Sequence, residues 1–93
     1  MKSTEFIKQK IDEIVVKFPY IRCRYANDIE AETHVIEISP KNIYQSEKFT
    51  DLENELVLDF IRQYPLESLV FIPEDDLIKI DCVDYLKTGI KSR

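Results

Sequence analysis

Twice in this chain an apolar stripe at helical spacing runs into an aromatic residue followed by proline, at Phe18-Pro19 and at Tyr64-Pro65. The residue before a proline avoids the helical region, so each pair sets a helix C-terminus. In the second copy Leu52, Leu56 and Phe60 recur every four residues, and Val57, Ile61 and Tyr64 widen the row. Thr50 stands where an N-cap would, and Glu53 three residues later completes a capping box. Asp51, Glu53 and Glu55 place negative charge near the positive end of the helix dipole. In the first copy Phe6, Ile7, Ile11, Ile14, Val15 and Phe18 form the stripe, and Ser3 or Thr4 offers a cap. Lys8, Lys10, Asp12, Glu13 and Lys17 take the solvent side.

The two prolines lie 65 − 19 = 46 residues apart, and a strand-like run follows each. Tyr20 to Tyr25 alternates, with Ile21, Cys23 and Tyr25 on one face and Tyr20, Arg22 and Arg24 on the other. After an Asn27-Asp28 turn signal, Thr33 to Ser39 places His34, Ile36 and Ile38 on one face and Val35 and Glu37 on the other. These two runs read as an antiparallel hairpin. Ser68 to Ile72 is continuously apolar, the pattern of a strand covered on both faces. Leu77 to Cys82 alternates again after a Pro73-Glu74-Asp75-Asp76 turn.

The expected organisation is one domain over residues 1–93. It holds a first αββ unit (1–39), a connector anchored by Ile43 and Tyr44 (40–49), a second αββ unit (50–82) and a C-terminal tail (83–93) whose end, Lys87 to Arg93, is basic and frayed. One apolar stripe per helix puts both helices on the same side of the sheet. The fold class is therefore α+β, a two-layer sandwich in the order α-β-β-α-β-β, with two helices on one face of a four-stranded antiparallel sheet. The opposite face would show Tyr20, Arg22, Arg24 and Val35, with either Val70 and Ile72 or Leu69 and Phe71 from the third strand.

Composition excludes several classes. Hydrophobic content of 44% argues against disorder. No apolar run reaches the roughly 18 residues of a membrane span, and the N-terminus lacks a signal-peptide layout, so a cytoplasmic setting is expected. There the two cysteines, Cys23 and Cys82, are expected as reduced, buried thiols. The net charge of −5 is uneven. Residues 1–46 hold seven acidic and seven basic side chains, whereas residues 47–84 hold eleven acids against Lys48, Arg62 and Lys79. That field repels nucleic acid and anionic membranes.

A single glycine, Gly89, leaves no Gly-rich phosphate loop or dinucleotide fingerprint. His34 is the only histidine. Cys23 could face it across the hairpin, but both lie on the face assigned to the core, without an evident cleft or oxyanion donor. Glu74, Asp75, Asp76, Asp81 and Asp84 do not have EF-hand spacing and read as solvated turns. No catalytic residue, cofactor or metal site is expected. The leading expectation is a non-enzymatic, acidic protein-interaction module of accessory, adaptor, inhibitor or immunity type, forming a homodimer and recognising a protein partner. Its candidate surface is Tyr20, Arg22, Arg24, Val70 and Ile72. The alternative is a nucleic-acid-linked regulator using the Tyr20/Arg22/Arg24 face, where aromatic and cationic groups alternate as in RNA-binding sheets. A small enzyme around His34 comes third.

Overall fold

The computed structural model describes residues 2–76, 80 and 83–89. Its elements are α1 (Ser3–Lys17), β1 (Arg22–Asp28), β2 (Thr33–Ser39), α2 (Lys41–Tyr44), α3 (Glu47–Gln63), β3 (Ser68–Pro73) and β4 (Tyr85–Thr88). Both proline-directed helix ends form, and they match. Phe18 sits at φ −125°, ψ 83° and Tyr64 at φ −133°, ψ 67°. A tight turn follows each, closed by Ile21 N donating to the Phe18 carbonyl at 3.0 Å and Glu67 N donating to the Tyr64 carbonyl at 3.1 Å.

The helix starts differ from the expected ones. α3 begins at Glu47, one turn before Thr50, because Ser46 is the N-cap and its Oγ accepts from Phe49 N at 3.2 Å. The Thr50 hydroxyl instead donates back to the Ser46 carbonyl at 3.0 Å. The extra turn extends the apolar row to Phe49, which is fully buried. α1 has no side-chain cap, since its N-cap is Lys2, whose ammonium cannot accept, and Ser3 is already the first helical residue.

The sheet is mixed, with strand order β3-β2-β1-β4. β1 and β2 form the expected antiparallel hairpin, from Arg22 opposite Ser39 to Asp28 opposite Thr33. β3 joins β2 in parallel, from Thr33 beside Ser68 to Ile38 beside Pro73, which corrects the all-antiparallel expectation. The reason lies in the connection. α2 and α3 carry the chain from the end of β2 back along one face to its start, and such a crossover delivers a parallel neighbour. α2 is also an additional helix, one short turn inside the expected connector.

The expected tail supplies a strand, which runs two residues into the stretch expected to fray. β4 pairs antiparallel with β1, from Arg22 opposite Thr88 to Tyr25 opposite Tyr85. Gly89 then packs against Pro19, where a Cβ would lie 2.3 Å from the Pro19 carbonyl oxygen. Its N–H donates to the Ile21 carbonyl at 2.8 Å. Of the strand expected over Leu77–Cys82, only Ile80 lies within the described residues, and it is not in a strand.

The core lies between the helices and one sheet face. Phe6, Ile7, Ile11, Ile14 and Val15 from α1 meet Phe49, Leu56 and Phe60 from α3 above Cys23, Tyr25, Ile36, Ile38, Leu69 and Phe71. The Phe6 and Phe60 ring centroids are 6.0 Å apart, and those of Phe18 and Phe49 are 5.7 Å apart. Leu69 and Phe71 therefore face the helices, leaving Val70 and Ile72 on the other side.

Candidate functional site

Alternation along β1 turns Arg22 and Arg24 away from the core. The hairpin register sets Arg24 opposite Glu37, and their side chains meet at 2.9 Å from Nη1 to Oε1. Glu37 is only 6% exposed, so the pair is partly desolvated and each charge needs the other. Next to this pair, Val35 stands between Ala26 and Val70 across three strands. Val70 is 39% exposed and Leu86 of β4 is 49% exposed. Ile72 shares the face but is 3% exposed, buried within the single chain. β3 and β4 stand at the two edges of the sheet.

Tyr20 is 60% exposed and lies in the turn before β1, not in the strand. Arg22 is exposed, and among the described residues it has no hydrogen-bond or ion-pair partner. Of the five candidate surface residues, Tyr20, Arg22 and Val70 are thus well exposed, Arg24 is committed to Glu37, and Ile72 is covered. The sheet edges offer less. Tyr44 Oη donates to the Phe71 carbonyl at 3.3 Å, and Pro73 brings no N–H, so β3 is poorly equipped to accept a further strand. β4 is only four residues long and carries Lys87.

His34 has other partners than Cys23. The register places Cys23 opposite Ile38 and His34 opposite Asn27. The imidazole is 1% exposed. Its Nδ1 lies 2.6 Å from Tyr25 Oη, and its Nε2 lies 2.5 Å from Glu67 Oε1. The same Oε1 accepts from the Ser3 hydroxyl at 2.7 Å. A carboxylate can only accept, so Nε2 carries a proton and donates to Glu67. In the neutral ring Nδ1 then accepts from the Tyr25 hydroxyl.

The electrostatics agree with these roles. The hydrogen bonds from His34 and Ser3 hold the Glu67 carboxyl below the usual carboxylate range. Burial, reinforced by Asp84 and Glu67, pushes the Tyr25 phenol well above its ordinary value and keeps its proton on. Burial alone raises the Cys23 thiol to about 12. Both imidazole nitrogens are occupied, and the ring stacks on Tyr25 and meets the edge of Phe60. The arrangement can hold four chain segments together; it presents no free base to a substrate.

Grooves among the described residues flank the core. One of about 280 Å³ separates α1 and α3, with charges of both signs along its rim, including Lys10 and Asp59 4.0 Å apart. Another, of about 270 Å³, lies over Tyr25 between Thr4, Lys8, Asn27, Ile29 and Asp84. In the acidic turn Asp75 binds Lys41 at 2.7 Å. Among the described residues no three His, Cys, Asp or Glu side chains are grouped to hold a metal ion, and no helix is long and apolar enough to cross a membrane. Asp81 and Cys82 lie outside the described residues. No protein-family model, no curated protein and no solved structure matches this chain.

Proposed function

We propose that this protein is a non-enzymatic interaction module of accessory, adaptor, inhibitor or immunity type. It docks a protein partner on the sheet face away from the helices and associates with a second copy of itself through that face. The observation that carries this reading is Arg22, whose guanidinium has no partner among the described residues, two positions after exposed Tyr20 and on a face that also exposes Val70 and Leu86. Tyrosine and arginine are the residue types that anchor protein interfaces, and exposed aliphatic side chains supply the area around them. A face is favoured over an edge because Tyr44 and Pro73 blunt β3. A cytoplasmic setting, with Cys23 as a buried thiol, and a tandem origin for the two halves, supported by their matching helix ends, belong to the same proposal.

Sedimentation across a dilution series tests the self-association. The expected result is a concentration-dependent rise above the 11.0 kDa of one chain. Val70→Asp should shift the equilibrium back to the monomer without loss of the folded spectrum. A single-chain mass at every concentration removes the homodimer. Arg22→Glu, assayed for capture of a partner from the native source, tests the docking surface separately.

A further inference from the structure

The Tyr25–His34–Glu67–Ser3 chain lies outside the docking face and joins four segments at one end of the molecule. Tyr25 belongs to β1, His34 to β2, and Glu67 is the residue before β3. Ser3 is the first residue of α1, whose N-cap residue Lys2 makes no side-chain cap hydrogen bond. Within this chain of contacts Tyr25 and His34 are buried and Ser3 and Glu67 are half-buried, with 30% of the Glu67 side chain exposed against 1% for His34.

We propose that Glu67 is an acid-sensitive latch, holding the first turn of α1 and the start of β3 against the β1–β2 hairpin and releasing both together on acidification. The Glu67 carboxylate is the anionic acceptor that the Ser3 hydroxyl and His34 Nε2–H share, and a proton on Glu67 removes that acceptor from both at once.

Charged and titratable groups among the described residues also face the latch. They are His34 from β2, Tyr25 from β1, Asp84 before β4, whose Oδ2 accepts from Asn27 N at 2.7 Å, and Lys8 from α1 across the groove. α3 contributes the apolar ring of Phe60. Because the folded carboxyl titrates below its ordinary range, its contribution is complete above that range. It is lost as the pH falls through the lowered folded value.

Amide hydrogen exchange on the whole protein, read as protection factors against pH, tests the latch. Phe6 N–H, which donates to the Lys2 carbonyl, reports the first turn of α1, and Ser68 N–H, which donates to the Glu32 carbonyl, reports the start of β3. Both should lose about tenfold or more in protection on acidification, the scale of losing hydrogen bonds to a charged group. Tyr25 and Ile36 in the hairpin should hold theirs. Glu67→Gln, which keeps an acceptor but cannot titrate, should start at lower protection at Phe6 and Ser68 and show no step. Ser3→Ala should weaken Phe6 more than Ser68. A step that persists in Glu67→Gln, or one in which Phe6, Ser68, Tyr25 and Ile36 fall together, overturns the proposal.

Discussion

Phe60 shows how much one side chain can carry here. It is fully buried, and its ring meets Phe6, His34 and Tyr64 at centroid distances of 6.0, 5.4 and 5.2 Å. Phe60→Ala should cost about 3–5 kcal/mol, since the rings around it cannot close the space. Leu56 borders the groove between the helices, where neighbours can relax, so Leu56→Ala should fall near the lower end of about 2–5 kcal/mol. Chemical denaturation checks both, and shifts under about 1 kcal/mol at both sites would contradict the stripe assignment. Cys23, fully buried with its thiol raised to about 12, should label slowly with a thiol reagent in the native protein and quickly once unfolded. Periodicity identified these core residues because burial selects for apolar side chains at fixed spacing. It also put His34 on the core face. It could not supply Glu67, which sits in a turn without periodic pattern, or Tyr25 as the histidine's partner, which depends on a register that alternation alone does not set.

Individual elements were legible where a local signal was strong, and were misjudged where a long-range choice decided. Pro19 and Pro65 end their helices by local sterics, and both ends match expectation. Ser46 against Thr50 was a choice between two adequate caps, and the burial of Phe49 settled it. The parallel β3 and the marginal strand β4 depend on tertiary pairing, which no short window contains. β4 survives because Tyr85 Oη donates to Asp12 at 2.7 Å and Gly89 closes against Pro19. Gly89→Ala forces a methyl against that carbonyl and should cost about 1–3 kcal/mol, with faster amide exchange in β4 than in β2. Unchanged stability and exchange would mean that the contact is not fixed in solution. The hairpin turn makes the opposite prediction. Glu32 holds φ at 53°, a left-handed conformation that costs a side-chain-bearing residue about 1–2 kcal/mol. Glu32→Gly removes that cost and adds about 0.4–1 kcal/mol of unfolded-state entropy, so a net gain near 0.5 kcal/mol should appear as a higher melting temperature. A lower melting temperature would show that Glu32 makes a compensating contact.

For the whole molecule, charge and apolar surface set opposing demands on association. Each chain carries −5, so two copies repel at long range. The proposed docking face has a different balance: Arg24 and Glu37 cancel, Arg22 has no partner among the described residues, and Val70 and Leu86 supply exposed apolar area. If a second copy binds through the apolar part, salt screens the net repulsion and leaves the hydrophobic contribution intact. Self-association should then tighten as ionic strength rises from about 0.05 to about 0.5 M, across which the screening length shrinks from above 10 Å to well below it. Association led by Arg22 meeting a carboxylate should weaken over the same range. Nucleic-acid binding should weaken much more steeply, because each neutralised phosphate releases a counterion. The structure makes that last reading harder to build, since one of the two arginines on the face is already committed to a buried glutamate. Sedimentation equilibrium at a series of salt concentrations separates the outcomes. A dimer that tightens with salt and is lost in Val70→Asp places the second copy on the apolar part of the sheet; a dimer that dissolves with salt and is lost in Arg22→Glu moves the contact to the guanidinium.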